Sequence, residues 1–179
     1  MARYGMLIDT KKCVGCYACM VACQMQNRLA PENTFIRYEE QEKGTYPNVD
    51  WKTVPVQCQH CQNAPCVTVC PTKARYIRPD GVVLVEEKKC IGCKYCIAVC
   101  PYQVNTVDGK KGIVEKCRFC IELVEKGGKP ACVSTCLTNA RIFGDLDDPK
   151  SMISQEIIKR KAVPLRPDLE TKPKIYYVL

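Results

Sequence analysis

The chain has 179 residues, 16 of them cysteine, and a formal net charge of +8 at pH 7. This length suits one compact domain or two small ones, and an aromatic content of 7% argues against a large aromatic-rich core. Chains of this composition are usually held together by disulfides or by metal.

The first part of the chain predicts a strand followed by a short helix. The segment YGMLIDT (4–10) has the pattern of a strand that ends in a turn before a cysteine group. The segment CMVACQMQN (19–27) predicts short helical turns that carry the last cysteine of that group. Residues 24–57 form a longer insert of mixed polarity, with few strong signals for either helix or strand.

The same strand pattern returns in the middle of the chain. GVVLVEE (81–87) and IVEKC (113–117) predict strands that lead into cysteine loops, and CIAVCPY (96–102) predicts another short helical turn. IELVEKGG (121–128) predicts two helical turns that stop at Gly127 and Gly128.

The last 30 residues contain no cysteine. SMISQEIIKRKA (151–162) predicts a helix, and the proline-punctuated segment VPLRPDLETKPKIYYVL (163–179) predicts an extended tail that lies along a partner or along the protein's own surface.

The cysteines form an internal repeat of four groups, each of which ends in C-x3-C. The variable gap always lies between the second and third cysteine, where an insertion lengthens a loop and leaves the ligands in place. The groups are Cys13, Cys16, Cys19 and Cys23; Cys58, Cys61, Cys66 and Cys70; Cys90, Cys93, Cys96 and Cys100; and Cys117, Cys120, Cys132 and Cys136.

This spacing favours iron–sulfur clusters over structural zinc or disulfides. A C-x2-C-x2-C loop offers three thiolates to one cubane, and the fourth cysteine of the run ligates the other cluster in two-cluster ferredoxins. Zinc ribbons use two separated cysteine pairs, so a third and fourth cysteine close by are superfluous for zinc. Gly15 and Gly92 occupy matching positions, where a small residue lets the backbone approach a cluster.

The residue after each group indicates how the groups pair. Groups two and three end in Cys-Pro, whereas groups one and four do not. Pairing like with like predicts an α+β fold of two nested bacterial-ferredoxin-like modules, with short strands and helices around four cubanes. The predicted segments are an outer module (1–36 and 110–149), an inner module (53–109), an insert (37–52) and a C-terminal helix with a partner-docking tail (150–179).

Most of residues 4–149 resembles the four-cluster ferredoxin subunit of molybdopterin oxidoreductases of the dimethyl sulfoxide reductase superfamily, with polysulfide and thiosulfate reductase subunits most similar. The resemblance rests on YGMLIDTKKCVGCYACMVAC, QCQHCQNAPCVTVCPT, DGVVLVEEKKCIGCKYCIAVCPY, KCRFCIELVEKGGKPACVSTC and RIFGDLDDP. It implies four [4Fe–4S] clusters: cluster one on Cys13, Cys16, Cys19 and Cys136; cluster two on Cys23, Cys117, Cys120 and Cys132; cluster three on Cys58, Cys61, Cys66 and Cys100; cluster four on Cys70, Cys90, Cys93 and Cys96. Some relatives replace the cysteine that matches Cys93 and carry a [3Fe–4S] cluster there.

The resemblance also implies a non-catalytic subunit of anaerobic respiration. Clusters one and two would face a molybdenum or tungsten catalytic subunit, and clusters three and four a quinol-linked membrane subunit or another redox partner. The alternatives are a free-standing soluble polyferredoxin and a zinc-based nucleic-acid module.

Membrane attachment is expected to come from another subunit. The first residues, MARYGMLIDTKK, lack the features of a secretory signal, and no apolar run approaches the about 18–20 residues that span a bilayer. The resemblance implies a location at the outer face of the cytoplasmic membrane through co-export with a partner, with a cytoplasmic location as the alternative.

The positive charge has an expected counterpart in the clusters. Each oxidised cluster with its four thiolates carries about −2, so we expect the excess of lysine and arginine to balance buried clusters. Lys94, Lys116 and Arg118 lie near the ligands and are candidates for raising cluster potentials, against a purely solvating role.

Two further kinds of side chain carry expectations. For His60 we expect a packed loop residue rather than a tuning or proton-relay group. The aromatic residues Trp51, Tyr176 and Tyr177 are either interface anchors or locally packed side chains.

Overall fold

The computed structural model describes residues 2–179, in which short strands and helices mix along the whole chain. The α+β prediction is therefore confirmed. The strands are β1 (Tyr4–Asp9), β2 (Ile36–Thr45), β3 (Asn48–Gln57), β4 (Arg75–Ile77), β5 (Val83–Val85), β6 (Thr106–Asp108), β7 (Ile113–Glu115), β8 (Arg141–Asp145), β9 (Val163–Pro164) and β10 (Ile175–Val178). The helices are α1 (Ala18–Asn27), α2 (Pro65–Thr68), α3 (Tyr95–Ala98), α4 (Ile121–Val124), α5 (Ala131–Ser134) and α6 (Met152–Lys159), with 3-10 turns at Glu87–Lys89 and Pro167–Leu169.

A four-stranded sheet in the order β8-β1-β10-β9 joins the early and late parts of the chain. β1 runs antiparallel to β8 and parallel to β10, with Met6 opposite Ile175 and Ile8 opposite Tyr177. These four side chains are fully buried, so the inner strands supply much of the apolar core. α6 packs on β8 and β1 through the buried Ile153.

The end of the tail differs from the prediction. Residues 175–178 form an inner strand of this sheet instead of an extended segment on a surface. Tyr177 is buried by local packing, since its hydroxyl donates to the carbonyl of Pro55 and accepts from the side-chain amide of Gln59. A four-residue apolar strand after a proline-rich segment is too short to be distinguished from an extended tail by its sequence pattern.

Residues 36–57 of the insert form a long hairpin in which β2 and β3 pair along ten residues each. Only the base of the hairpin is buried, through residues such as Ile36, Val54 and Val56, whereas its distal half is exposed. The insert therefore adds an arm of regular structure for which the sequence offered few signals. The remaining strands form the two small antiparallel ribbons β4-β5 and β6-β7, which connect the cysteine groups.

Most of the other predicted elements are present, with shorter bounds. The strand predictions at 4–10 and 113–117 correspond to β1 and β7, and the helix prediction at 151–162 corresponds to α6. IELVEKGG forms only one helical turn, α4, and the chain then turns through Gly127 at a φ of 78°. No helix within residues 2–179 has the length and apolar character that a bilayer crossing requires.

We expect Ile175→Ala to destabilise the protein by about 2–5 kcal/mol, because it leaves a cavity beside Met6 in the inner strands. Anaerobic urea titration, followed by circular dichroism and by cluster absorbance, measures the change. Ile158→Ala is the control, since Ile158 on α6 is 79% exposed and its truncation should change the midpoint little. Equal midpoints for the two variants would contradict the placement of β10 inside the sheet.

Candidate iron–sulfur centres

Cysteines from distant parts of the chain line one cavity beside β1. The first three cysteines of group one meet the last cysteine of group four there, although more than a hundred residues separate them in sequence. Tyr38 and Arg141 also line this cavity. The thiols at the cavity are Cys13, Cys16, Cys19 and Cys136.

Two further cavities show the same exchange of cysteines between groups two and three. In each, three thiols of one group are joined by the last thiol of the other. The first is lined by Cys70, Cys90, Cys93 and Cys96. The second is lined by Cys58, Cys61, Cys66 and Cys100.

The remaining four cysteines, Cys23, Cys117, Cys120 and Cys132, are all buried. Burial raises the pKa of the Cys23 thiol to about 12, and the nearby thiolates of Cys132 and Cys120 add to that shift. Burial also raises the pKa of the Cys117 thiol, and the thiolates of Cys23 and Cys132 raise it further. The helices that carry Cys23 and Cys132, α1 and α5, also pack against each other, so these thiols share one region of the interior.

This donor arrangement fits an iron–sulfur cubane better than a single metal ion. Among residues 2–179, no three Cys, His, Asp or Glu side chains converge closely enough to share one ion, as a structural zinc site requires. Twelve of the thiols instead surround three cavities, four to a cavity, and all sixteen are free of disulfide bonds. Because burial raises the pKa of half of these thiols, including Cys61 to about 12, uptake of iron as a thiolate complex must release protons.

The residue before the second cysteine has the same left-handed backbone in every group. Gly15, His60, Gly92 and Phe119 have φ values of 63°, 44°, 69° and 55°. Glycine adopts this conformation without steric cost, which agrees with the role expected for Gly15 and Gly92. Sequence reasoning did not identify His60 and Phe119 as their structural equivalents, because residues other than glycine seldom adopt a positive φ. The repeat of cysteines is thus also a repeat of backbone geometry.

His60 and Phe119 stack on each other, with ring centroids 3.8 Å apart and 24° between the ring planes. His60 is fully buried, and its Nδ1 accepts a hydrogen bond from the Val83 N–H at 3.1 Å. Burial, together with Lys116 and Lys174, lowers the pKa of His60 well below its usual value, so the ring stays neutral. These contacts agree with the expectation that His60 is a packed loop residue. The stack also connects cysteine group two to cysteine group four.

The cations near the ligands differ from those proposed from sequence. Lys94 is exposed, and Arg118 is partly exposed and lies 3.6 Å from Glu122. Lys116 is buried, and its ammonium group donates to the carbonyls of Val83 and Cys117. Of the three candidates, Lys116 alone is therefore shielded from water near the clusters.

Sequence reasoning missed two buried arginines, Arg75 and Arg141. The signal was present, because CPTKAR (70–75) and CLTNAR (136–141) place each arginine five residues after the last cysteine of a group. Across residues 2–179, four of the 27 lysines and arginines are buried, namely Arg75, Lys116, Arg141 and Lys174. These four side chains can therefore balance the charge of buried clusters from inside the protein. The rest of the positive charge lies at or near the surface.

Cys16 and Cys93, the second cysteines of groups one and three, are the two that are exposed. Large apolar side chains are exposed beside each of them. Val14 is 68% exposed beside Cys16, and Ile91 is 67% exposed beside Cys93. Leu137, which follows Cys136 in the chain, is 78% exposed. Two of the thiol cavities thus reach the surface within apolar patches. Trp51, 56% exposed on the hairpin, also lies beside Cys13 and Val14.

We expect Gly92→Ala to lose one cluster, that is four irons per chain. A Cβ at Gly92 would lie 2.3 Å from the carbonyl oxygen of Gly112, in a backbone conformation that alanine rarely adopts. Iron analysis after anaerobic purification measures the loss. Two controls separate the clash from backbone strain. A Cβ at Gly109 meets open space, so Gly109→Ala tests neither effect, whereas Gly112→Ala has open space but a φ of 68° and so tests backbone strain alone. Full iron content in Gly92→Ala would contradict the close approach at this loop.

Comparison with known proteins identifies the family to which this chain is similar. Two family profiles, each described as a 4Fe-4S dicluster domain, match residues 49–146 and 12–74. A subunit of the sulfite dehydrogenase of Allochromatium vinosum is 41% identical over 99% of this chain and 83% of its own length. A subunit of the tetrathionate reductase of Salmonella typhimurium is 40% identical over 98% of this chain and 72% of its own length. A component chain of the polysulfide reductase of Wolinella succinogenes is 39% identical over 98% of this chain and 94% of its own length.

These matches confirm the predicted cofactors and the predicted role. Two dicluster domains with sixteen cysteines correspond to four [4Fe–4S] clusters, and the cluster content fits an electron relay. The chain belongs to the family of 4Fe-4S dicluster electron-transfer proteins.

Proposed function

We propose that this protein is the electron-transfer subunit of a larger oxidoreductase. It relays electrons between a molybdopterin catalytic subunit, containing molybdenum or tungsten, and a quinol-linked membrane subunit or another redox partner. The relatives support this assignment, because each is one component of a sulfite, tetrathionate or polysulfide enzyme. The chain itself binds no substrate in this scheme and makes no bond.

Each cluster takes three ligands from one cysteine group and one from its partner group. The three thiol-lined cavities support this for clusters one, three and four, and the mutual approach of the four remaining thiols supports it for cluster two. The ligands are Cys13, Cys16, Cys19 and Cys136 for cluster one; Cys23, Cys117, Cys120 and Cys132 for cluster two; Cys58, Cys61, Cys66 and Cys100 for cluster three; and Cys70, Cys90, Cys93 and Cys96 for cluster four. This assignment makes the modules nested, with residues 53–109 inside 1–36 and 110–149.

Contacts between the sets support one order for the relay. Arg141 faces the thiols of Cys19 and Cys132, which belong to clusters one and two. The stack of His60 on Phe119 joins clusters three and two. Cys66 and Cys96, of clusters three and four, both lie near Arg75. The electron path therefore runs one, two, three, four, and a [4Fe–4S] cluster carries one electron at a time along it.

The observation that carries the proposal is the exposure of the two ends of this path. Cys16 at cluster one and Cys93 at cluster four are exposed, whereas all four ligands of cluster two are buried. Exposed apolar residues beside each end are typical of surfaces that a partner covers. Electrons enter at one end and leave at the other, while protein insulates the middle.

A free-standing soluble polyferredoxin is the second candidate, because such a carrier also exposes its terminal clusters. The hairpin arm favours a subunit. It holds no cluster ligand, yet it exposes Tyr46, Val49 and Trp51 by 92%, 43% and 56%. Large apolar side chains on a projecting arm fit a fixed interface better than a surface that must stay free. We place the complex at the periphery of the cytoplasmic membrane, at the outer face through co-export with a partner, with the cytoplasm as the alternative.

We expect Cys136→Ala and Cys16→Ala to perturb the same cluster, and Cys23→Ala and Cys120→Ala to perturb another. The nested ligand sets require this, although Cys16 is far closer in sequence to Cys23 than to Cys136. Electron paramagnetic resonance of the reduced variants identifies the cluster that each substitution changes. If Cys16→Ala and Cys23→Ala instead altered one and the same signal, the ligand sets would be wrong while an iron–sulfur protein would remain.

We expect the protein, purified anaerobically from its natural host, to elute from a size-exclusion column with a larger subunit that contains molybdenum or tungsten. Metal analysis and peptide sequencing of that fraction identify the partner. Elution of the brown protein alone at about its own mass of 20.2 kDa, at low and high salt, would favour the free carrier instead.

A further inference from the structure

Arg75 and Arg141 occupy equivalent positions in the two modules. Each follows the last cysteine of its group by five residues, after a left-handed residue, Lys73 or Asn139, and a buried alanine. Each is also the first residue of a strand, β4 or β8. The same backbone path therefore delivers an arginine side chain to the interior twice.

Both guanidinium groups are buried without a carboxylate partner. Arg75 is 3% exposed and Arg141 is 4% exposed, and across residues 2–179 neither makes a salt bridge. The other two buried cations, Lys116 and Lys174, each direct their ammonium group at two backbone carbonyls. A buried charge is costly unless an opposite charge or a full set of hydrogen bonds compensates for it.

The arginines have too few partners in the described part of the chain. Nη1 of Arg141 donates to the Gln57 side-chain carbonyl at 2.7 Å, but its buried Nη2 has no acceptor. Nη2 of Arg75 reaches the Val114 carbonyl at 3.5 Å, and its buried Nη1 has no acceptor. In each arginine one buried N–H group therefore lacks both a hydrogen-bond acceptor and access to water.

The surroundings indicate which anion these donors meet. Arg141 lines the cavity of Cys13, Cys16, Cys19 and Cys136, and Arg75 lines the cavity of Cys70, Cys90, Cys93 and Cys96. Burial by itself would lower the pKa of Arg141, but the thiolates of Cys132 and Cys19 raise it above its usual value. Burial raises the pKa of Cys96, and the Arg75 guanidinium opposes that shift. Arg75 likewise opposes the rise that burial causes in the pKa of Cys66, so each arginine faces thiols of two ligand sets.

We infer that Arg75 and Arg141 are the internal counter-cations of the relay, one between the two clusters of each module, and that each donates its spare N–H to the sulfur of the terminal cluster whose cavity it lines. This inference rests on the ligand sets proposed above. A cluster with its four thiolates gains one negative charge on reduction, so a fixed buried cation stabilises the reduced form. Arg141 therefore raises the reduction potentials of clusters one and two, and Arg75 raises those of clusters three and four.

The test is a redox titration of Arg141→Gln and Arg75→Gln, followed by electron paramagnetic resonance, with signals assigned by the single cysteine variants. We expect Arg141→Gln to lower the potential of cluster one or two by at least about 59 mV, a tenfold lower reduced-to-oxidised ratio at a fixed potential, with clusters three and four unmoved. Arg75→Gln should show the reverse pattern. Arg118→Gln is the matched control, since Arg118 lies between two ligands of cluster two in sequence but is partly exposed and near Glu122, and it should shift no potential by that amount.

Unchanged potentials in both glutamine variants, or equal shifts of all four clusters, would overturn the inference. Arg141→Lys covers the case in which Arg141→Gln loses iron. If Arg141→Lys keeps all clusters, with potentials near those of the unsubstituted protein, the result supports a requirement for positive charge at this position. If both variants lose iron, Arg141 has a packing role and the inference is overturned. A failure of the ligand sets is distinguishable, because it would appear in the cysteine variants of a protein with unsubstituted arginines.

Discussion

A loop with two residues between successive cysteines can present three thiols to one cavity, but the fourth thiol must come from elsewhere. In this protein it comes from the paired group, so that Cys136 closes the cavity of Cys13 and Cys100 closes the cavity of Cys58. Every such cavity therefore brings together cysteines from distant parts of the chain. The short helices, small ribbons and left-handed turns serve to hold these thiols at the corners of the cavities.

The same constraint explains why the interior is more polar than an ordinary core. Half of the cysteines are buried, as are two arginines and two lysines, beside a modest set of apolar side chains from β1, β3 and β10. In a core without anionic cofactors these cations would destabilise the fold. Here Arg75, Lys116 and Arg141 line the thiol cavities, so both the packing and the electrostatics of the interior depend on the clusters.

The cysteine spacing was the strongest signal in the sequence, and it led to the cofactors, to the family and to the short elements that adjoin each group. The hairpin of residues 36–57 was missed because its distal half is exposed, and an exposed strand need not alternate apolar and polar residues. The strand β10 was missed because its parallel pairing with β1 connects segments far apart in the chain, which no local pattern records. Arg75 and Arg141 were overlooked since a charged residue near a cysteine is usually on the surface, and only the structure shows these two inside.

The parallel pairing of β1 with β10 also bears on the order in which the protein is assembled. The first strand leaves the ribosome early, yet its inner neighbour comprises residues 175–178, which are synthesised far later. The thiols of Cys58, Cys61, Cys66 and Cys100 all emerge before the strand that completes the sheet. The cavity that Cys100 closes can therefore form on a partial chain, whereas the cavity of Cys13 must wait for Cys136.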